Sequence, residues 1–323
     1  MTDAAPLNPA APARRLRVRH ETRYDYEESV ELAHHVAFLC PRETPWQQVG
    51  AWRLSIAPLP NGWVGAGLFA EQDAFTRQQL SRDPFGNTRL VFSHAQVHDY
   101  LQVGSGFEAT LQDRPAPQAD LGPHWREVAE SLRYHAGAVR TEAVEFTLGS
   151  PFAPTSAALA EFARQAFDGS CSVAGGAVAL MTQIHTEFKY EPLSTHVGTR
   201  APEALAQRRG VCQDFAHVMI AACRSIGLAA RYVSGYLLTH PRAGQPRLIG
   251  ADASHAWVEV WCPQQGWLAL DPTNKVFANQ DHVTLAWGRD YADVAPLRGV
   301  IRGSGATKLT VAVTVEPVEN ARA

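Results

Sequence analysis

No two cysteines in this chain are spaced as Cys-x-x-Cys, and their total, five, is odd. The spacing that zinc knuckles and disulfide frameworks need is therefore missing. Cys40, Cys171, Cys212, Cys223 and Cys262 read best as reduced thiols, which fits a cytoplasmic setting. No run approaches the ~20 consecutive apolar residues of a membrane helix. The opening MTDAAPLNPAAPARR lacks the apolar centre of a signal peptide, in keeping with the same compartment. Charge of one sign is missing too. The net charge is only -3, which gives no electrostatic case for nucleic acid or an anionic membrane as partner. A calcium loop of the Asp-x-Asp-x-Asp-Gly type is absent, as are internal repeats. Nothing calls for a cofactor or a metal.

What is present is an ordinary globular composition. The 323 residues are 46% hydrophobic and 19% charged, enough for two domains with a sizeable core. Residues 1–14 are rich in Ala and Pro and are expected to be disordered. From Leu16 the pattern alternates: Leu16, Val18, His20, Thr22 and Tyr24 against Arg17, Arg19, Glu21 and Arg23. Period two marks a half-buried strand, so the arginines read as its solvated face. Further strand candidates are Val36–Leu39, Trp52–Ile56, Ala74–Leu80, Thr88–Phe92, Tyr100–Val103 and Phe107–Leu111. Turn signals lie between them at Pro60-Asn61-Gly62, Asp83-Pro84-Phe85-Gly86-Asn87 and Gly104-Ser105-Gly106. Close-spaced short strands of this kind predict a β-rich, sandwich-like module over 15–115. His34 and His35 are adjacent and would face opposite sides of a strand, so they make a poor metal pair.

Prolines 115, 117 and 123 mark a boundary, after which the periodicity turns helical. Helix candidates are His124–Leu132, Thr155–Phe167, Gly176–Phe188, Pro202–Arg208 and Cys212–Ile226. In the last, Phe215, Val218, Met219, Ala222, Cys223 and Ile226 recur at helical spacing, and Gly227 is placed to cap the end. Cys212 then opens the first turn, where unpaired N–H groups and the helix dipole favour negative charge. A thiol so placed is eased toward thiolate, the nucleophilic form. Strand-like runs follow at Ala229–Tyr236, Ser254–Cys262 and Gly266–Asp271, and Lys308–Val315 alternates as a closing strand. Residues 301–323 are thus a C-terminal strand and a candidate to return to the β module.

The run 254–262 puts His255, Trp257, Glu259 and Trp261 on one face. With Pro263, Gln264 and Gln265 as the turn and Cys262 paired to Gly266, Asp271 falls opposite Trp257. It is then one diagonal step from His255 on the same face. A thiolate needs a base, and the base needs an acceptor to orient it. Cys212, His255 and Asp271 supply nucleophile, general base and orienter. A rival set, Cys212, His217 and His255 as metal ligands, lacks ligand spacing.

Four stretches carry a resemblance. They are Gly210-Val211-Cys212-Gln213-Asp214-Phe215-Ala216-His217, Ala230–Tyr236, Ser254-His255-Ala256-Trp257-Val258-Glu259, and Gly266-Trp267 followed by Asp271-Pro272-Thr273-Asn274. Together they resemble the bacterial transglutaminase-like family. Asp83–Asn87 and Gly288–Pro296 look like further family elements. The resemblance implies an α+β fold: an N-terminal β module, then a papain-like core over 116–300 with a Cys-His-Asp triad. It also implies acyl chemistry at a peptide or protein amide, ending in hydrolysis or in transfer to an amine acceptor. Tyr190, upstream of the cysteine, is a candidate oxyanion donor or else a core or rim aromatic, and Trp257 lines the cleft or fills the core. Asp214 is expected to satisfy nearby backbone or an arginine, and Arg231 and Tyr232 to support the strand layer. Arg289, Asp290 and Asp293 belong to the groove border or to a solvated loop. A non-catalytic scaffold that keeps the fold is the alternative.

Overall fold

The alternation that begins at Leu16 does not stop at Tyr24. It runs on as a single strand of 24 residues, β1 (Arg14–Ala37). The computed structural model describes residues 12–63, 70–71, 80–133, 141–169, 172–239, 254–303 and 305–318. Residues 1–11, Cys171 and the strand expected at 74–80, apart from Leu80, lie outside them. Six further strands follow: β2 (Gln47–Val49), β3 (Arg53–Ala57), β4 (Ala70–Glu71), β5 (Leu80–Arg82), β6 (Thr88–His94) and β7 (His98–Leu111). With two strands from the C-terminal end of the chain they form one nine-stranded sheet, in which β1 pairs β7 along its first half and β6 along its second. The register shifts between Asp25 and Val30, where the neighbour changes.

The Gly104-Ser105-Gly106 turn expected from sequence is not a turn. It lies inside β7, which corrects the two short strands placed on either side of it. Small residues are needed there for close approach. A Cβ on Gly104 would come within 2.5 Å of Ser55 Oγ, and Ser105 Oγ receives the Trp52 indole N–H at 2.9 Å. Leu16 and Val18 are buried while Arg15 and Arg17 pair with Glu108 on the solvent side, so the basic stretch is a strand face.

The second half carries the helices α1 (Trp125–Ser131), α2 (Ala157–Phe167), α3 (Val173–Glu187), α4 (Ala201–Gln207) and α5 (Cys212–Ser225). A short parallel pair, β8 (Lys189–Tyr190) and β9 (Arg209–Gly210), leads into α5. An antiparallel five-stranded sheet follows, in the order β13-β12-β11-β10-β14. Its strands are β10 (Ala230–Leu237), β11 (Ser254–Cys262), β12 (Gly266–Asp271), β13 (Val276–Phe277) and β14 (His282–Gly288). α5 packs on β10 and β11 and against α2 and α4. Enclosed on all sides, it is buried throughout from Asp214 to Arg224. Within the sheet, Gly235 is required by contact. A Cβ there would meet Val283 O at 2.2 Å and the Trp257 ring at 2.5 Å. We expect Gly235→Ala to cost about 1–3 kcal/mol by overpacking, read as a lower denaturant midpoint at unchanged slope.

After α6 (Tyr291–Val294) the chain turns back as β15 (Leu297–Gly303) and β16 (Thr307–Pro317). β15 pairs with the second half of β1 and β16 with the first, Leu16 facing Pro317 and Tyr26 facing Thr307. The two regions also share packing. Tyr236, Leu238, Val283 and Leu285 of the five-stranded sheet lie in one hydrophobic cluster with Leu16, Phe107 and Val313. Side chains of the N-terminal sheet hydrogen-bond the backbone of β14. Gln47 gives and takes bonds at Thr284, both 2.8 Å, and Asn87 does so at Trp287, 2.7 and 3.1 Å. The Asp83–Asn87 turn is thus a joint between the regions. Asp83 Oδ1 accepts the N–H groups of Phe85 and Asn87, and Arg42 donates to Phe85 O and Asn87 Oδ1.

Candidate active site

Cys212 is set at the start of α5 by a chain of local constraints. α4 ends at Arg208, whose left-handed backbone (φ 51°) redirects the chain into β9. Asp214, in the first helical turn, folds back over this entry. Its Oδ2 accepts the Val211 N–H at 2.8 Å and the Thr195 hydroxyl at 2.7 Å. That satisfies a helix-entry donor and holds Val211 in extended backbone just before the cysteine. Residue 210 must be glycine, because a Cβ would lie 2.5 Å from Asp214 Oδ2. Burial raises the Asp214 carboxyl, partly offset by those two bonds. Cys212 is half-buried, whereas Cys40, Cys223 and Cys262 are buried. Burial pushes the Cys223 thiol up to about 12.

The hairpin of β11 and β12 has the register its three-residue turn requires: Cys262 faces Gly266, and Val258 faces Leu270. Asp271 therefore lies one step beyond, beside the face that carries His255. The imidazole Nε2 donates to Asp271 Oδ2 at 2.7 Å. Asn274 Nδ2 donates to the same oxygen at 2.7 Å, and His282 Nε2 lies 3.3 Å from it. Oδ1 takes the backbone N–H groups of Thr273 and Asn274 at 2.9 and 3.2 Å. Asp271 is itself fully buried. Burial alone would raise its carboxyl, but these donors hold it far below the ordinary range. An ionised Asp271 only accepts, so His255 and His282 each carry a proton on Nε2. The Nδ1 of His282 then receives the Asn279 N–H at 3.2 Å. On His255 this tautomer leaves Nδ1 to serve Cys212. Burial depresses the imidazolium, but hydrogen bonds to Asp271 and Cys212 and their charges outweigh it, pushing His255 up to about 10.

Cys212 and His255 share a cavity of about 240 Å³. Val211, Gln213, Tyr232, Ser234 and Tyr291 line it from the helical half, and β1, β15 and β16 close its other side. Tyr232 and His282 were not anticipated as site residues. Asn274 joins them, and the signal that marks it is local, since Asp271-Pro272-Thr273-Asn274 has the form of an Asx turn.

Residues 160–272 match the transglutaminase-like superfamily, and residues 16–110 match the bacterial transglutaminase-like N-terminal region. An uncharacterized protein of Mycobacterium tuberculosis (strain H37Rv) is 37% identical over 316 residues, covering 96% of this chain and 95% of that protein. The chain belongs to the transglutaminase-like superfamily. A protein-glutamine gamma-glutamyltransferase of Pseudomonas aeruginosa (PAO1) is 34% identical over 295 residues, 83% of this chain and 42% of that protein. A crystal structure of a candidate cysteine protease from Cytophaga hutchinsonii matches with a TM-score of 0.71. That match spans 97% of this chain and 94% of the other at 19% identity, a likeness of fold. At the level of the superfamily the chain is a cysteine-based enzyme. Among the described residues, no helix is long and apolar enough to cross a membrane.

Within this transglutaminase-like core the remaining candidates take definite places. Trp257 is fully buried against His255 and His282 and is absent from the described cavity lining, in the core position that is one of its two readings. Tyr190 is 53% exposed on β8, edge-on to Phe215. Burial raises its hydroxyl, and the charge of Cys212 adds to this, but the side chain lies outside the cavity lining. His217 does not join Cys212 and His255. It stacks on Phe152, accepts the Tyr291 N–H at 3.2 Å, and burial pushes it down to about 3. Asp290 is not on a solvated loop either. It is buried, caps α6 at Ala292, and accepts the Phe152 N–H at 2.8 Å. Among the described residues, the cluster with metal-ligand atoms close together is His255, Asp271 and His282, within 4.8 Å. Their facing atoms are already committed to one another by hydrogen bonds.

Proposed function

We propose that the protein is a cysteine-dependent acyl-transfer enzyme acting on a peptide or protein amide, with Cys212 as nucleophile, His255 as general base and acid, and Asp271 as orienter. One observation carries this reading. Cys212 and His255 meet in an open cavity, and the far nitrogen of His255 is held by a buried, caged carboxylate. With His255 pushed up to about 10, the imidazole is protonated at neutral pH and sits beside the sulfur as a cation. A cation in that position favours negative charge on the attacking sulfur.

The sulfur attacks the amide carbonyl and an S–C bond forms. The Cys212 backbone N–H, in the first turn of α5, is placed to stabilise the oxyanion, and one such donor is worth about 2.7–4 kcal/mol. Tyr190, near enough to feel the sulfur's charge, is our candidate for a further donor. His255 then gives its proton to the departing nitrogen as the C–N bond breaks. The thioester left on Cys212 is resolved by water, with His255 taking the proton, or by an amine that forms a new amide. We favour hydrolysis. A scaffold would keep the fold and leave Cys212 as an ordinary thiol.

The test is alkylation by iodoacetamide across a range of pH in wild type, His255→Ala and Cys212→Ala, the last giving the background of the other thiols. We expect wild type to label rapidly into the acid range. His255→Ala should label at least tenfold more slowly at pH 6, where an unassisted thiol, with a pKa near ~8.5, is almost wholly protonated. Equal rates in wild type and His255→Ala would overturn the assignment. Ammonia release from a glutamine peptide, with and without a primary amine, separates hydrolysis from transfer.

A further inference from the structure

The wall of the cavity opposite Cys212 comes from the N-terminal sheet and the returning C-terminal strand. His20, Thr22 and Tyr24 of β1 line it together with Leu309 and Val311 of β16 and Leu297 at the start of β15. The register explains why they act together. Thr22 pairs with Val311 and Tyr24 with Leu309, and residues directly opposite on adjacent strands share a face. The result is a two-strand ladder of apolar and aromatic groups facing the thiol.

This wall is fixed relative to the nucleophile. His20 Nδ1 is 2.8 Å from the hydroxyl of Tyr236, a residue of β10 in the catalytic sheet, and His20 Nε2 is 3.0 Å from Thr22 Oγ1. His20 and Tyr236 are buried, so the link does not loosen into solvent. Leu309 and Val311, in contrast, remain 53% and 48% exposed although they border the reactive cleft. Among the described residues, no Asp, Glu, Lys or Arg contributes to the cavity lining.

We infer that Tyr24, Leu309 and Val311 form an acyl-donor subsite that selects a bulky apolar or aromatic group next to the reacting carbonyl. The inference rests on Cys212 being the nucleophile. An apolar substrate group laid on this ladder covers the exposed leucine and valine and brings its carbonyl to the sulfur. A charged group there would lose part of its water, and the side chains of the ladder itself offer it no charged partner. The N-terminal sheet is then part of the active site, and its attachment to the core is a matter of specificity.

The full-length chain is labelled with two peptidyl chloromethyl ketones that differ only in carrying phenylalanine or glutamate beside the ketone. Each rate at Cys212 is divided by that of iodoacetamide, which has no side chain to place. Wild type should prefer the phenylalanyl reagent by roughly tenfold or more, the discrimination a hydrophobic pocket ordinarily gives. Leu309→Asp combined with Val311→Asp should abolish that preference. Leu309→Ala combined with Val311→Ala, which introduces no charge, should reduce it, and decides the matter if the aspartate variant misfolds. A preference that survives in the variants, or equal wild-type rates alongside normal iodoacetamide labelling, overturns the subsite alone. Absence of iodoacetamide labelling at Cys212 overturns the acyl-transfer reading and the subsite with it.

Discussion

Asp271→Ala is expected to lower amide turnover by on the order of 10²–10⁴-fold, the range a positioned acid–base group contributes. The effect is large because one carboxylate does several things. It fixes the His255 tautomer through Nε2, leaves Nδ1 for the sulfur, and supports the imidazolium with its charge. It is also the acceptor on which Asn274 and His282 converge. The loss should appear as a fall in turnover with Cys212 still present and titratable in denaturant.

The same variant should change the pH dependence of stability. Unfolded, His255 releases its proton near 6.5. Folded, it holds that proton to about 10. Between those values the folded chain binds more protons, so this contribution is complete below pH 6.5 and is lost as pH rises toward 10. Removing Asp271 takes away the leading favourable influence on the imidazolium. Denaturant midpoints measured from pH 6.5 to 10 should therefore fall less steeply in Asp271→Ala than in wild type. Parallel curves would show that Asp271 does not hold the His255 proton.

Glu259→Ala is expected to destabilise the protein by about 3–5 kcal/mol, the cost of breaking a buried ion pair from one side. Glu259 is buried on β11, four residues from His255, and it receives two arginines. Arg231 donates to Oε2 at 2.7 Å, and Arg114 to Oε1 at 3.0 Å. Arg231 is also enclosed between the rings of Trp267 and Trp287, at 4.1 and 3.8 Å from their centroids. Burial depresses the Arg231 guanidinium, and Glu259 is the main influence that sustains its charge. Without the carboxylate, two enclosed guanidinium groups lose the acceptor that pairs with both. The comparison is Glu187→Ala, which removes a solvated pair with Arg208 and should cost no more than about 1 kcal/mol. Chemical denaturation of both variants checks the contrast, and similar losses would mean that Glu259 is not the keystone of this cluster.

Glu259, like the hairpin around it, could be placed from sequence, whereas its two arginine partners could not. The strands 254–262 and 266–271 were legible because period-two alternation and a short turn fix faces and register within a few residues. The same holds for α5, where helical periodicity and the glycines at either end bound a helix that opens with Cys212. Errors gathered where local signals mislead. Gly104-Ser105-Gly106 of β7 looks like a turn, but Gly104 answers to Ser55 and Ser105 to Trp52, on and beside a neighbouring strand. β14, buried almost throughout, and β15, exposed almost throughout, lack the alternation that marks a strand.

Local sequence pattern placed Cys212 at a helix start and His255 and Asp271 on one face of a hairpin, and it fixed the α+β class. Only the tertiary structure decided that His282 completes the cage of Asp271, that Trp257 is buried, and that β1 and β16 wall the cavity. The reason lies in range. Backbone periodicity relates residues a few positions apart, whereas Asn87 meets Trp287 across 200 positions and Gln47 meets Thr284 across 237. Contacts at such separations follow from how two sheets pack, and no local rule encodes them.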